Sequence, residues 1–242
     1  AGTNAAMQIK GKEPLVLDRS EAYIGVLIDD LVTKETKEPY RMMTSRAEYR
    51  LLLRQDNADL RLRKKGYEVG LIGEEDYQKL LLKEKQIEEE IKRVERTGIG
   101  ACAKVQKILE EKNSTLLKSS TTLGELIRRP ELSYEDLESV DETRPPLPQD
   151  VREQVNINIK YSGYLKRQKK QVEQFKKMES KRIPENLDYD QVKSLRIEAV
   201  QKLKLYRPEN IGQASRISGV SPADISVLLV YLQGHMGEKN EK

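Results

Sequence analysis

Three arginines, Arg46, Arg50 and Arg54, recur every fourth residue behind a serine, and a row of that kind can hold a polyanion. Ser45 followed three residues later by Glu48 is a capping-box pattern, so a helix is expected to start there. At 1.5 Å rise per residue, about 6 Å separates successive guanidinium groups along one face, roughly the repeat of a sugar-phosphate backbone. Arg41 falls just before the expected start, where free backbone N–H groups and the positive end of the helix dipole also favour anions. A plainer reading pairs the arginines with Glu48, Asp56 or Asp59 on a solvated helix. Leucines 51 to 53 on the opposite side, with no acid at the i+4 positions, favour phosphate contact instead.

A second cluster of cations is Lys166-Arg167-Gln-Lys-Lys170, and a third is Lys202, Lys204 and Arg207. The stretch Gly212-Gln-Ala-Ser-Arg-Ile-Ser-Gly-Val-Ser-Pro222 has the outline of a helix-turn-helix, but the helix after it is too apolar to read base edges in a major groove. Gln213, Ser215 and Arg216 would project from the shorter helix, toward RNA, toward an acidic protein, or simply as caps and turns of a small bundle. Tyr49, Tyr161, Tyr164 and Tyr206 sit beside cations and are candidates for base stacking.

Catalytic and metal chemistry find few residues to work with. One cysteine (Cys102), one histidine (His235) and no tryptophan leave no Cys/His zinc set and no internal disulfide, which agrees with a reducing, cytoplasmic setting. Cys102 is expected as a small packing residue and His235 as a solvated helix-end residue. No run of 18 apolar residues and no basic-then-apolar leader is present, so a soluble protein is expected. The 44 Lys plus Arg and 40 Asp plus Glu nearly balance at +4. Such a total suits long solvated helices with intrahelical ion pairs, so the clustering of charge matters more than its sum.

The periodicity predicts a mainly α chain. Residues 13–32 are the exception, with short apolar runs that fit strand or buried helix. A long amphipathic helix is expected from Glu74 to about Lys112, broken near Gly98 and Gly100, followed by a polar connection over 114–122. A short helix from Leu123 should stop before Pro130, and another should start at Ser133 with Asp136 as its box partner. Thr143 to Pro148 must be extended, because three prolines fix φ and remove donors. Gln149 to Ser180 traces a helical stripe interrupted at Gly163, where a close contact with a neighbouring helix or an RNA backbone would explain the glycine. Capped short helices then follow Asp188, Asn210 and Ser221, and the last, Ala223 to Gln233, is apolar nearly all round. It is expected to be the centre of a small bundle, ended by Gly234.

Arg41-Met-Met-Thr-Ser-Arg-Ala-Glu-Tyr-Arg50, continuing through Asp56-Asn-Ala-Asp-Leu-Arg61, resembles the MnmG (GidA) family of flavoenzymes that modify the wobble uridine of certain tRNAs. Ile211-Gly-Gln-Ala-Ser-Arg-Ile-Ser-Gly-Val-Ser-Pro-Ala-Asp-Ile225 is similar to that family's C-terminal end, with Lys160-Tyr-Ser-Gly-Tyr164 between the two blocks. Met43 stands where the family often has Phe, Arg63 where Thr is common, and Arg196 where a helix-capping Ser is usual.

The resemblance implies a C-terminal portion. None of the 14 glycines completes a Gly-x-Gly-x-x-Gly turn, and the opening Ala1 to Met7 resembles the last helix of the family's flavin domain cut part-way. A truncated or proteolytic piece of a longer protein is therefore expected, inactive alone, with no catalytic, cofactor or metal residues of its own. Its expected architecture is a helical domain ending in a small C-terminal helical bundle, with a short remnant of an α/β flavin domain at the N-terminus. The expected divisions are 1–72 (flavin-domain tail and arginine-rich connector), 73–147 (helical) and 148–242 (long helix and bundle). For the intact protein the resemblance implies FAD, NADH, a homodimer, and a partner GTPase, MnmE. Together they would install a carboxymethylaminomethyl group. No membrane and no DNA partner is implied. Arg41, Ser45, Arg46, Arg50, Arg54, Lys166, Arg167, Lys202, Arg207, Gln213 and Arg216 are the expected contacts to tRNA or partner, the first five alternatively to the flavin domain. A helical module docking MnmE and the dimer mate without touching tRNA is the rival reading.

Overall fold

The computed structural model describes residues 1–34 and 38–237 and, of the last three of these, the backbone alone. The chain is mainly helical and divides into two compact units, residues 1–15 with 54–167 and residues 16–53 with 168–242. The expectation for His235 lies outside the described side chains.

The first unit contains α1 (Gly2–Ile9), α3 (Ala58–Glu68), α4 (Glu74–Arg96), α5 (Ala103–Glu111), α6 (Leu123–Ile127), α7 (Gln149–Lys160) and the start of α8 (Ser162–Glu179). Its core is built on α4, where Leu80, Ile87 and Val94 recur every seven residues and are all buried. Ile87 and Val94 pack with Val105 and Leu109 of α5, Leu123, Leu126 and Ile127 of α6, and Val151, Val155 and Ile159 of α7. Each such side chain stabilises the unit by about 1.5–3 kcal/mol relative to exposure. Within this core Glu90 is buried. Its carboxylate accepts from the Tyr134 hydroxyl at 2.6 Å and from Arg93, which also reaches Asp141. Burial first, then the Glu90 hydrogen bond, hold the Tyr134 hydroxyl well above its ordinary pKa.

The helix expected from Glu74 breaks after Arg96, as its glycines indicate. The break also forms a pairing that periodicity does not reveal, β1 (Gly98–Ile99) antiparallel to β2 (Thr121–Thr122). Ser133 and Asp136 form the expected reciprocal box, with the Ser133 N–H donating to Asp136 Oδ2 at 2.8 Å and the Asp136 N–H to Ser133 Oγ at 3.3 Å. The turn they cap, Glu135–Val140, is 3₁₀ and not α.

The second unit contains α2 (Tyr23–Thr33), the rest of α8, α9 (Ile197–Tyr206), α10 (Ile211–Arg216) and α11 (Pro222–Gly237). Residues 23–33, ambiguous in sequence, are helical. α2 starts so close to the preceding strand-like segment that a Cβ on Gly25 would lie 2.2 Å from the Asp18 carbonyl oxygen. Ile211, Leu203, Leu228, Ile217 and Val192 centre the terminal bundle.

Four expectations need correction. No α-helix starts at Ser45: residues 44–46 form a single 3₁₀ turn, residues 47–53 are turns and bends, and the next helix begins at Ala58. The stripe over 149–180 breaks at Tyr161, and Gly163 faces open space, with nothing within 4 Å of where a Cβ would be. Cys102 is exposed. Helix α11 runs through Gly234 to Gly237 and buries one face, Ile225, Leu228 and Leu232, while Val230 is 70% exposed.

The two glycines predict opposite mutational outcomes. Gly25→Ala is expected to lose about 1–3 kcal/mol through backbone overlap. Gly163→Ala is expected to gain about 0.5–1 kcal/mol from helix propensity. Denaturant unfolding of both variants beside the parent chain checks the pair.

Candidate functional site

In the second unit the segment that carries Arg41 to Arg50 is held by one buried guanidinium. Arg19 is 2% exposed and donates to Asp30 Oδ1 at 2.6 Å, Asp29 Oδ2 at 2.9 Å and Glu48 Oε1 at 2.7 Å. It also reaches the Val26 and Arg46 carbonyls. Burial opposes the charge, but the bonds from Glu48 and Asp30 outweigh it and raise the guanidinium further above its ordinary value. Glu48, expected to cap a helix, is engaged by Arg19 instead. Asp30 also accepts from Tyr40 at 2.8 Å and from Lys34 at 2.8 Å. Its carboxyl is held below the usual range: burial acts against that shift, and the bonds from Lys34, Arg19 and Tyr40 overcome it. Arg19, Asp29 and Asp30 have no part in the sequence reading. The available signal was an adjacent acid pair closing an apolar helical run.

This network sorts the expected site residues of the unit. Arg46 stacks over the Tyr40 ring at 4.4 Å, donates to the Arg41 carbonyl and lies 3.9 Å from Asp30. Arg216 is engaged more fully. It donates to both Asp29 oxygens at 2.8 and 2.7 Å and to Glu179 at 2.6 Å, and lies over the Phe175 ring. Arg207 takes a left-handed conformation at φ 45° and donates to the Glu185 carbonyl. Lys202 lies 6.0 Å from the Tyr206 ring centre, and Gln213 Oε1 accepts from the Glu209 N–H while its own N–H donates to Asn210 Oδ1. Arg41, Ser45 and Arg50 are exposed.

In the first unit Arg54 is bound to Asp56 at 3.0 Å and to Gln154 at 3.3 Å. Lys166 and Arg167 differ. Both are exposed on the first turns of α8, and neither has an ion-pair partner among the described residues. They belong to a stretch, 154–172, that contains no Asp or Glu and the five cations Lys160, Lys166, Arg167, Lys169 and Lys170. Tyr161 and Tyr164, at the same turn, are 44% and 59% exposed.

The terminal bundle is held by caps. Asp224 forms a reciprocal box with Ser221 and is 2% exposed, and the guanidinium of Arg196 packs on it at 2.6 Å. Arg196 makes no side-chain cap for α9 and instead ties the start of that helix to the box of α11, its own N–H also donating to Asp224. The Arg196 guanidinium, with Ser221, holds the Asp224 carboxyl far below the usual carboxylate range.

Two outcomes follow. Arg216→Ala leaves Asp29 partly buried with one pairing fewer and is expected to cost about 3 kcal/mol in denaturant unfolding, beyond any effect on binding. Asp224 binds a proton less readily folded than unfolded. The stability it contributes is complete above its ordinary value of 3.8 and drains away as pH falls below it. In Asp224→Asn the acid limb of a stability–pH curve is expected to be shallower.

Among the described residues no cluster of three or more His, Cys, Asp or Glu is placed to hold a metal ion, and no helix is long and apolar enough to cross a membrane. Buried ion pairs that lock helices, beside an acid-free stretch of exposed cations over 154–172, mark a helical domain with no reaction centre among its described residues. The comparisons specify the class. Residues 74–169 match the tRNA modifying enzyme MnmG/GidA C-terminal helical domain, and residues 171–242 match the C-terminal helical bundle of the same enzyme. The tRNA uridine 5-carboxymethylaminomethyl modification enzyme MnmG of Lachnoclostridium phytofermentans is 66% identical over 233 residues, 96% of this chain and 37% of that protein. Its counterpart in Clostridium kluyveri is 62% identical over 239 residues, covering 99% of this chain and 38% of its own. The solved structure of Aquifex aeolicus GidA in the form II crystal superposes with a TM-score of 0.80 at 41% identity, over 96% of this chain and 36% of that one.

The chain belongs to the MnmG/GidA family and corresponds to its C-terminal helical domains. It spans little more than a third of the length of the curated relatives it matches.

Proposed function

We propose that this chain is the tRNA-binding and partner-docking region of an enzyme that adds a carboxymethylaminomethyl group to the wobble uridine. In this reading FAD, NADH and the reacting residues belong to parts of the longer relatives that the chain does not match. The GTPase MnmE and a second copy of the enzyme complete the working cytoplasmic assembly. The observation that carries the tRNA reading is the pair Lys166 and Arg167, exposed, unpaired and inside an acid-free stretch of nineteen residues, 154–172. Unneutralised cations on a helix exchange their counterions for phosphates, whereas paired arginines do not. Arg41 and Arg50, exposed in the other unit, are the next candidates. Arg46, Arg54 and Arg216 support the fold around them first.

A docking role also has its own support. Ile197 and Leu205 lie two turns apart on α9 and are 79% and 70% exposed, large apolar groups that a protein partner would cover.

Binding of tRNA across a salt series tests the reading. Log affinity is expected to fall nearly linearly with log salt, and Lys166→Ala/Arg167→Ala to lower the slope by roughly 1–2 while leaving unfolding unchanged. Arg41→Ala/Arg50→Ala measures the other unit's share. Absence of binding by the intact chain would leave docking as the function of this region.

A further inference from the structure

Of the eleven tyrosines in the chain, nine have a partner for ring or hydroxyl or are packed into a core. Tyr161 and Tyr164 are the two that do not. Among the described residues neither ring stacks on another ring or a cation, and neither hydroxyl is hydrogen-bonded, although they are 44% and 59% exposed. Between them Gly163 leaves the helix surface bare, with nothing within 4 Å of a Cβ position. Gly163 is the second residue of α8, and no packing in this structure calls for a glycine there. Arg167, exposed and without an ion-pair partner among the described residues, follows Tyr164 by three residues on the same helix face, and Lys166 lies further round.

An aromatic face open to solvent beside unpaired cations is what a single strand needs, since each base offers a π-face and each linkage a charge. A base-paired A-form stem offers no such contact, because its bases are stacked inside. We propose that the start of α8 takes an unpaired nucleotide, its base stacked on Tyr164 with Tyr161 flanking it and its phosphate on Arg167, one turn on along the same face, while Lys166, further round the helix, adds positive potential. The bare surface at Gly163 admits the sugar. The site would thus engage a loop or a strand end and not a stem. This proposal rests on the RNA-binding reading above.

The test uses the full chain with a twelve-nucleotide RNA carrying one 2-aminopurine, and the same strand annealed to its complement. The single strand is expected to bind more tightly and to show a change in 2-aminopurine fluorescence. Tyr164→Ala is expected to weaken single-strand binding by about fivefold or more while leaving duplex affinity and the salt slope unchanged, and Tyr164→Phe to restore it. Lys166→Ala/Arg167→Ala is expected to weaken both RNAs and flatten the slope. Equal binding of strand and duplex, with Tyr164→Ala changing neither, would overturn the stacking proposal and leave the phosphate reading intact. Salt-independent or absent binding of both RNAs would overturn both.

Discussion

Removing the charge of Arg19 from water is costly, and the arrangement of residues 16–53 follows from how that cost is met. A guanidinium that is 2% exposed needs acceptors on every side, and Asp29, Asp30, Glu48 and two carbonyl oxygens supply them. Those acceptors come from the middle of α2 and from the turn at residues 46–48, so meeting the demand of one side chain fixes the path of some thirty residues. The same acids then impose further order. Asp29 holds Arg216 of α10, and Asp30 orients Tyr40, over which Arg46 stacks.

This explains why the helix expected at Ser45 does not form. A capping box is a local bargain between a serine and an acid with two residues between them. At Ser133 and Ser221 the box acids, Asp136 and Asp224, also take a cation, Lys112 and Arg196, yet each keeps its serine, and both boxes form with the bonds their sequences indicate. At Ser45 the glutamate is drawn to a buried cation twenty-nine residues earlier. Short-range signals were therefore legible: the helical spacing of apolar residues on α4, the stop of α6 before Pro130, and the Asn210 cap. Long-range demands were not. Arg19, Asp29 and Asp30 look ordinary in one dimension, and only the fold brings them together. The candidate site was half legible for the same reason. Clusters of cations are visible in sequence, but which arginines are already committed to carboxylates cannot be counted from spacing.

Basic residues in this protein thus divide into two populations with different physics. Arg19, Arg93 and Arg216 use the planar fork to satisfy two or more acids at once, and their rigidity suits a buried junction. Lys166 and Arg167 lie inside a stretch without Asp or Glu and have no ion-pair partner among the described residues. A chain with 44 cations and 40 anions could neutralise nearly all of them internally. Leaving one helical stretch unneutralised is what makes a nearly balanced sequence locally attractive to phosphate.

The pairing of Arg216 with Asp29 spans 187 positions of sequence. During synthesis at roughly 5–20 residues per second, the acid waits on the order of ten to forty seconds for its partner to leave the ribosome. Until then Asp29 of α2 has Arg19 but lacks its second guanidinium. The residues between, 54–167, hold their own core and can complete it in that interval. Translation speed and chaperone access therefore bear on the 16–53 segment more than on the helical domain that emerges after it.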